Sequence, residues 1–223
     1  MAIQINNTKH LQNNGVKVLV YGQAGAGKTT LISSAPAPIV LSAEAGLLSL
    51  RDCDIPYIEI RNMDDLAEAY SWAAESSESS SYQTICLDSI SEIAEVVLTD
   101  EKRKNKDPRA AYGVMQDTIQ AFVRGFRDLL GKHVYFSAKL EKVQDEMGRI
   151  LYGPSMPGNK TGQLLPYYFD EVLALRVEHN DTNQTVRMLQ CEGDGTWLAK
   201  DRSGKLDKWM EPDLSGIMQR IIA

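Results

Sequence analysis

Gly22-Gln23-Ala24-Gly25-Ala26-Gly27-Lys28-Thr29 fits the pattern GxxxxGK[ST] and decides how the rest of the chain is read. Residues 16–21, Val-Lys-Val-Leu-Val-Tyr, run into it as a β-branched, apolar stretch that predicts a buried strand. Residues 28–34 predict a helix behind it, ended by Pro36 and Pro38. A loop in this setting has a defined chemistry. Its glycines let the backbone curl until successive N–H groups converge on a phosphate, and the helix start adds partial positive charge. Lys28 is expected to reach the β- and γ-phosphates of ATP, and the Thr29 hydroxyl to bind Mg²⁺. ATP and Mg²⁺ are therefore the expected cofactors, with residues Gly22, Gln23, Ala24, Gly25, Ala26, Gly27, Lys28, Thr29 and Thr30 as the binding loop.

Two acids stand where such a site needs them. Thr84-Ile85-Cys86-Leu87 predicts a buried strand that delivers Asp88 at its carboxyl end, as a magnesium-holding Walker B element requires. The alternative for Asp88 is a helix cap. Residues 39–41 predict another short strand, followed by Ser42-Ala43-Glu44-Ala45-Gly46. Glu44 then lies at the carboxyl edge of the sheet, where open α/β sheets bind ligands, and a carboxylate there can polarise an attacking water. The alternative for Glu44 is an ordinary exposed loop residue.

Residues 57–60 suggest one more strand, and Asp64 a cap for a helix carrying Leu66, Ala69, Tyr70 and Ala73. Residues 76–81 read as a polar loop. Residues 89–103 read as a helix with a basic end. Residues 112–130 read as a longer helix whose stripe of Val114, Ile119, Phe122, Phe126 and Leu129 is core packing. A strand at 133–136 follows, and then two strands, 171–177 and 185–189, joined by a turn-rich segment. A last helix is expected at about 213–222. Strands alternating with helices and then a hairpin predict an α/β fold: a mostly parallel central sheet flanked by helices, finished by C-terminal antiparallel strands.

Composition sets outer bounds. The 223 residues suit one α/β domain, and 43% hydrophobic with 24% charged residues is ordinary globular usage. The polar start, residues 1–12, has no apolar signal segment. No apolar run approaches a bilayer span, so no membrane role is expected. Cys53, Cys86 and Cys191 are odd in number and scattered, and His10, His133 and His179 are dispersed, which points to a reducing, cytoplasmic setting without a structural metal. Net charge is −6, so any nucleic-acid binding must come from a local basic region. Lys102, Arg103, Lys104, Lys106 and Arg109 form one, with the solvated end of a helix as the alternative. Tyr112 beside them either stacks on a base or starts the core face of its helix.

The doubled Thr29-Thr30, the strand ending in Ser42-Ala43-Glu44-Ala45 and the strand ending in Asp88-Ser89 together resemble the ATPase core of RecA-type recombinases. The resemblance covers roughly residues 16–202. It implies a RecA-like P-loop core in which Glu44 activates water and Lys28 stabilises the reacting phosphate. It differs from AAA+ enzymes, whose glutamate usually adjoins the Walker B aspartate; Ser89 fills that place here. By the same resemblance Ser137 or Lys139 senses the γ-phosphate. Residues 102–109 and the Gly- and Pro-rich 148–162, with Arg149 and Lys160, correspond to two flexible DNA-binding loops. Lys200 and Arg202 are similar to a basic pair that reaches the ATP of a neighbouring subunit in that family. The chain is shorter than bacterial RecA and is most similar to the core-only RecA-like proteins of bacteriophages that act in single-strand annealing or recombination. That implies a host cytoplasm, single-stranded DNA as partner, a homo-oligomer with ATP at subunit interfaces, and a single-strand-binding protein as a further partner. Residues 1–223 are then one domain, with 1–15 an N-terminal extension and about 203–223 a C-terminal helical tail. A nucleotide-dependent switch or assembly factor for a protein partner is the main competing class, and a small-molecule kinase a third.

Overall fold

The structure is a computed structural model that describes residues 15–44, 46–180 and 182–223, with the side chains of 159 and 160 set aside. The expected N-terminal extension and the side chain of Lys160 lie outside the described residues.

Strand β1 (Lys17–Gly22) is buried along its whole length. Val18 and Val20 point into one apolar cluster, Leu19 and Tyr21 into another on the opposite face. A continuous apolar strand of this kind fits only where helices cover both faces. The loop then opens a short helix, α1 (Lys28–Leu31), continued as a 3₁₀ turn over Ile32–Ser34. β2 (Pro38–Ser42) and β3 (Tyr57–Glu59) follow in parallel.

Helix α2 (Met63–Glu75) is capped by Asn62, whose side chain accepts from Asp65 N at 2.9 Å. Asp64, the expected cap, sits in the first turn instead, where its charge still suits the helix dipole. The serine-rich segment after it holds a 3₁₀ turn, Glu78–Ser81.

β4 (Thr84–Asp88) leads into α3 (Ile90–Lys104), capped by Ser89. Helix α4 (Pro108–Arg127) begins four residues before its expected start. The Asp107 side chain accepts from Arg109 N at 2.9 Å, and Pro108 occupies the first turn, where its missing N–H costs nothing. The basic segment 102–109 is therefore a helix end, a tight turn and a helix start, not an open loop. The buried stripe of α4 is Ala111, Met115, Ile119, Val123 and Phe126, whereas Val114 is exposed.

The largest departure concerns β5 (His133–Gln144), which continues eight residues past Phe136 and pairs antiparallel with β6 (Ile150–Ser155). Residues 148–162 thus form a strand, a turn and the short α5 (Asn159–Leu164) rather than a flexible loop. Beside its pairing with β5, β6 is bridged through Tyr152 to the 196–198 segment, and Pro154 lies past that bridge, where among the described residues no second strand needs its missing N–H. β7 (Glu171–His179) and β8 (Thr185–Gln190) make the expected hairpin. Two small strands complete the sheet, β9 (Lys200–Asp201) against β7 and β10 (Trp209–Met210) against β8. Helix α6 (Leu214–Ile222) buries Leu214, Ile217 and Met218 on the α1 side.

The sheet order is β10-β8-β7-β1-β5-β4-β2-β3. The run β7-β1-β5-β4-β2-β3 is parallel throughout, and the antiparallel pairs lie at its periphery. This is the mostly parallel α/β sheet of a RecA-like P-loop core. β5 separates the loop-bearing β1 from the acid-bearing β4. The carboxyl ends of β1, β2 and β4 therefore face one common space.

Candidate active site

The loop after β1 needs backbone shapes that side chains resist. Gly25 has φ +76° and Gly27 φ +104°, in the left-handed region. Gly22 is required for a second reason: a Cβ there would stand 2.8 Å from the Leu175 carbonyl oxygen. The Lys28 ammonium folds back and donates to the carbonyls of Gly22 (2.9 Å) and Gln23 (3.0 Å). Burial lowers its pKa, offset in part by the charges of Asp88 and Glu44. The Tyr135 hydroxyl, wholly buried on β5, donates to the Lys28 carbonyl at 2.8 Å and fixes the start of α1 from below. Gln23, Ala24, Gly25 and Thr30 are exposed, whereas Ala26 is buried.

Asp88 closes β4 beneath this loop. The Thr29 hydroxyl donates to its Oδ2 at 2.7 Å, and the Ser137 hydroxyl donates to its Oδ1. Burial raises the Asp88 pKa, while the two hydroxyl bonds oppose the shift. Asp88 is therefore not a helix cap; Ser89 takes that part, accepting from Glu92 N at 3.3 Å. Ser137 is fully buried and orients this carboxylate.

The donor set suits a magnesium ion that comes with phosphates. Mg²⁺ typically takes one or two protein oxygens and completes its shell with phosphates and water. Thr29 Oγ1 and Asp88 Oδ2 are 2.7 Å apart, close to the roughly 2.9 Å between neighbouring ligands of an octahedral ion with bonds of 2.0–2.1 Å. Among the described residues there is no cluster of three or more His, Cys, Asp or Glu able to hold a metal without such help.

Glu44 faces this pair from the end of β2. Its backbone carbonyl accepts from the Ser42 hydroxyl, and its Oε1 accepts from the Ser89 hydroxyl, both at 2.6 Å. Because Ser89 Oγ already accepts from the Glu92 N–H, its proton is directed to the carboxylate. Among the described residues no group donates to Glu44 Oε2, which leaves one oxygen for a water. Lys139, the alternative γ-phosphate sensor, forms an ion pair with Glu92 that raises its pKa. The Asp88–Ser89 peptide is cis.

The remaining expected residues fall elsewhere. Arg103 pairs with Asp100 (3.3 Å) and Lys104 with Glu101 (3.1 Å), while the Lys102 ammonium lies 5.1 Å from the Tyr112 ring centre. Tyr112 is itself half-buried against the core. Lys106 and Arg109 are exposed at the turn. Arg149 pairs with Asp145 at 2.7 Å. Lys200 Nζ donates to the carbonyls of Pro166 (2.8 Å) and Phe169 (2.7 Å), and Arg202 pairs with Asp170 at 2.9 Å. Both lie by the first residues of β7, the end of the sheet opposite the P-loop of the same chain. Three contributors to the site escaped sequence reading. The sequence marks Ser89 as the partner of Asp88 in the strand ending, Ser42 as the residue before Ala43-Glu44 and Tyr135 as a strand residue; no local pattern marks the contacts they make.

Taken together, a phosphate-cradling loop, a buried acid beside its threonine and a second acid across the gap define a P-loop ATPase core. Residues 14–203 match the family model described as AAA domain (AAA_24), and the chain belongs to that family. Among solved structures it is similar to the KaiC-like protein of the archaeon Pyrococcus horikoshii OT3, with 14% identity, a TM-score of 0.44, and coverage of 79% of this chain and 77% of that one. No curated protein gives a significant match. Among the described residues no helix is long and apolar enough to cross a membrane.

Proposed function

We propose that the protein hydrolyses Mg·ATP and couples the cycle to single-stranded DNA in recombination or annealing. The observation that carries the hydrolytic reading is the 2.6 Å bond from Ser89 to Glu44, which aims a carboxylate at the space bounded by Thr29, Asp88 and Lys28. Bound Mg²⁺ would draw charge from the phosphate oxygens. Lys28 exchanges its two carbonyl partners for phosphate oxygens and offsets the charge that develops there. Glu44 holds the water and takes its proton on Oε2. Asp88 accepts from two hydroxyls and holds the magnesium side of the site.

The DNA reading is supported by where the basic turn lies. α3 keeps to the carboxyl edge: it starts at Ser89, and near its end Asp100 Oδ2 accepts from Met63 N at 3.4 Å, just past β3. A Cβ on Gly158 would lie 3.5 Å from Tyr112 and 3.1 Å from Gln116, so the turn after β6 and the start of α4 share one surface. The two segments expected to bind DNA are thus neighbours on the nucleotide side of the sheet. Subunit assembly with Lys200 and Arg202 acting in trans, and a single-strand-binding partner, belong to the same proposal.

The test is steady-state ATP hydrolysis with and without single-stranded DNA, at low and high salt, beside Lys28→Ala and Glu44→Gln. The expected outcome is stimulation that fades with salt, no turnover in Lys28→Ala, and retained ATP binding with suppressed turnover in Glu44→Gln. Lys28-dependent hydrolysis indifferent to DNA would refute the DNA coupling and favour a protein partner. Full turnover in Glu44→Gln would refute the base.

A further inference from the structure

Arg187 stands on β8 directly opposite Val177 of β7. Leu175 packs beside Gly22, so Val177 and Arg187 rise two residues, or about 7 Å, above the end of β1. That is the level of the P-loop. By strand alternation Arg187 shares a face with Leu189, which belongs to the apolar cluster around Leu31 and Ile32 of the α1 segment. Its stem lies along the outer wall of the loop: Nε donates to the Ala26 carbonyl at 3.1 Å, and a Cβ built on Gly27 would be 3.7 Å from both Cδ and Nε. With Nε so engaged, among the described residues the two Nη groups have no protein partner and no carboxylate within ion-pair distance. Arg176 on the adjacent strand, by contrast, is paired with Glu178.

The order of the strands says which part of a nucleotide this cation meets. Asp88 on β4 and Glu44 after β2 mark the end that is hydrolysed, and both lie on one side of β1. β7 and β8 lie on the other. A triphosphate laid along the loop therefore has its γ end toward β4 and its α end toward β8. Arginine suits that position, because its planar fork donates through Nη to phosphate oxygens while Nε is bound elsewhere.

We infer that Arg187 is a nucleotide-binding residue whose Nη groups contact the α-phosphate of the ATP or ADP held by the P-loop. This rests on reading the loop as an ATP site. The contact is present before and after hydrolysis, so it serves retention of either nucleotide.

The experiment is equilibrium binding of ATP, ADP and the separate Rp and Sp diastereomers of ADPαS to wild type, Arg187→Ala, Arg187→Lys and Lys28→Ala. A cation on one face of the α-phosphate makes the protein prefer one diastereomer. Arg187→Ala is expected to weaken ATP and ADP about tenfold each and to bring the diastereomer ratio close to one, with Arg187→Lys between. Wild-type affinities in Arg187→Ala overturn the inference. So does a uniform loss of affinity with the diastereomer ratio intact, which would assign Arg187 only to holding the Ala26 carbonyl, and so does a wild-type ratio of one. In each of those cases loss of binding in Lys28→Ala keeps the ATP site standing. A wild-type protein that binds none of these nucleotides removes the ATP site itself.

Discussion

Ser89→Ala separates the positioning of Glu44 from everything else in the site. The hydroxyl makes two contacts: a 2.6 Å bond donated to Glu44 Oε1 and a 3.3 Å bond accepted from Glu92 N. A hydrogen bond to an ionised group contributes about 1.5–3 kcal/mol, and each 1.36 kcal/mol of barrier is about tenfold in rate. Freed of its partner, the Glu44 side chain can leave the position from which Oε2 meets a water. The expected cost is therefore about ten- to a hundredfold in kcat. The lost cap adds about 1 kcal/mol of destabilisation, which leaves a folded protein and is measured separately by urea unfolding. ATP binding should be unchanged, because Lys28, Thr29 and Asp88 are untouched. The assay is kcat under saturating Mg·ATP for wild type, Ser89→Ala, Glu44→Gln and the double variant. If Ser89 works only through Glu44, the double variant is no slower than Glu44→Gln alone. Full activity in Ser89→Ala, or an undiminished additional loss in the Glu44→Gln background, would show that the bond does not position the base.

Two further predictions address the far end of the sheet. Glu171 is completely buried; burial first, then a side-chain hydrogen bond shared with Asp201 and the charges of Asp201 and Asp170, push its pKa up to about 8. The folded state then holds a proton that the unfolded chain releases near pH 4.5, so stability is full below that pH and is lost as pH rises through about 8. Unfolding titrations between pH 5 and 8 should show a fall of at most about 1.4 kcal/mol per pH unit, and Glu171→Gln should flatten it; an unchanged slope would clear Glu171. Lys200→Ala strips one donor from the carbonyls of Pro166 and Phe169 and should cost about 1–3 kcal/mol of stability. If subunits share sites it should also lower ATPase activity in a way that depends on protein concentration, which a monomer active at assay concentration would refute.

Much of this was legible because it is written locally. The buried run before Gly22, the acid after Leu87 and the hairpin from Glu171 each have a period or a motif that one window shows. The cap of α4 was legible too: Asp107-Pro108 is a helix start, overshadowed by the charges on either side. The extension of β5 to Gln144 is a different case. Lys139-Leu140-Glu141-Lys142 is too polar for a core strand, and the glycines and prolines opposite it read as a loop; their pairing depends on a hairpin projecting beyond the sheet, whose tip at 142–144 is exposed and whose base is covered on one side by Tyr152 stacked on Trp197. β9 and β10 are two residues each, too short for any periodicity. The site divides in the same way. Lys28, Thr29 and Asp88 announce themselves by spacing, whereas the bond from Ser89 to Glu44 spans 45 positions and that from Arg187 to Ala26 spans 161. Such contacts are set by strand order.

The margins of the sheet carry a consequence for self-association. At one margin stands β3, three residues long, and at the other β10, of two. A ribbon that ends in such short stubs offers a neighbouring molecule almost no row of free amides and carbonyls to template on. At those two strands growth by backbone zippering, the route to fibrous aggregates, has little to start from.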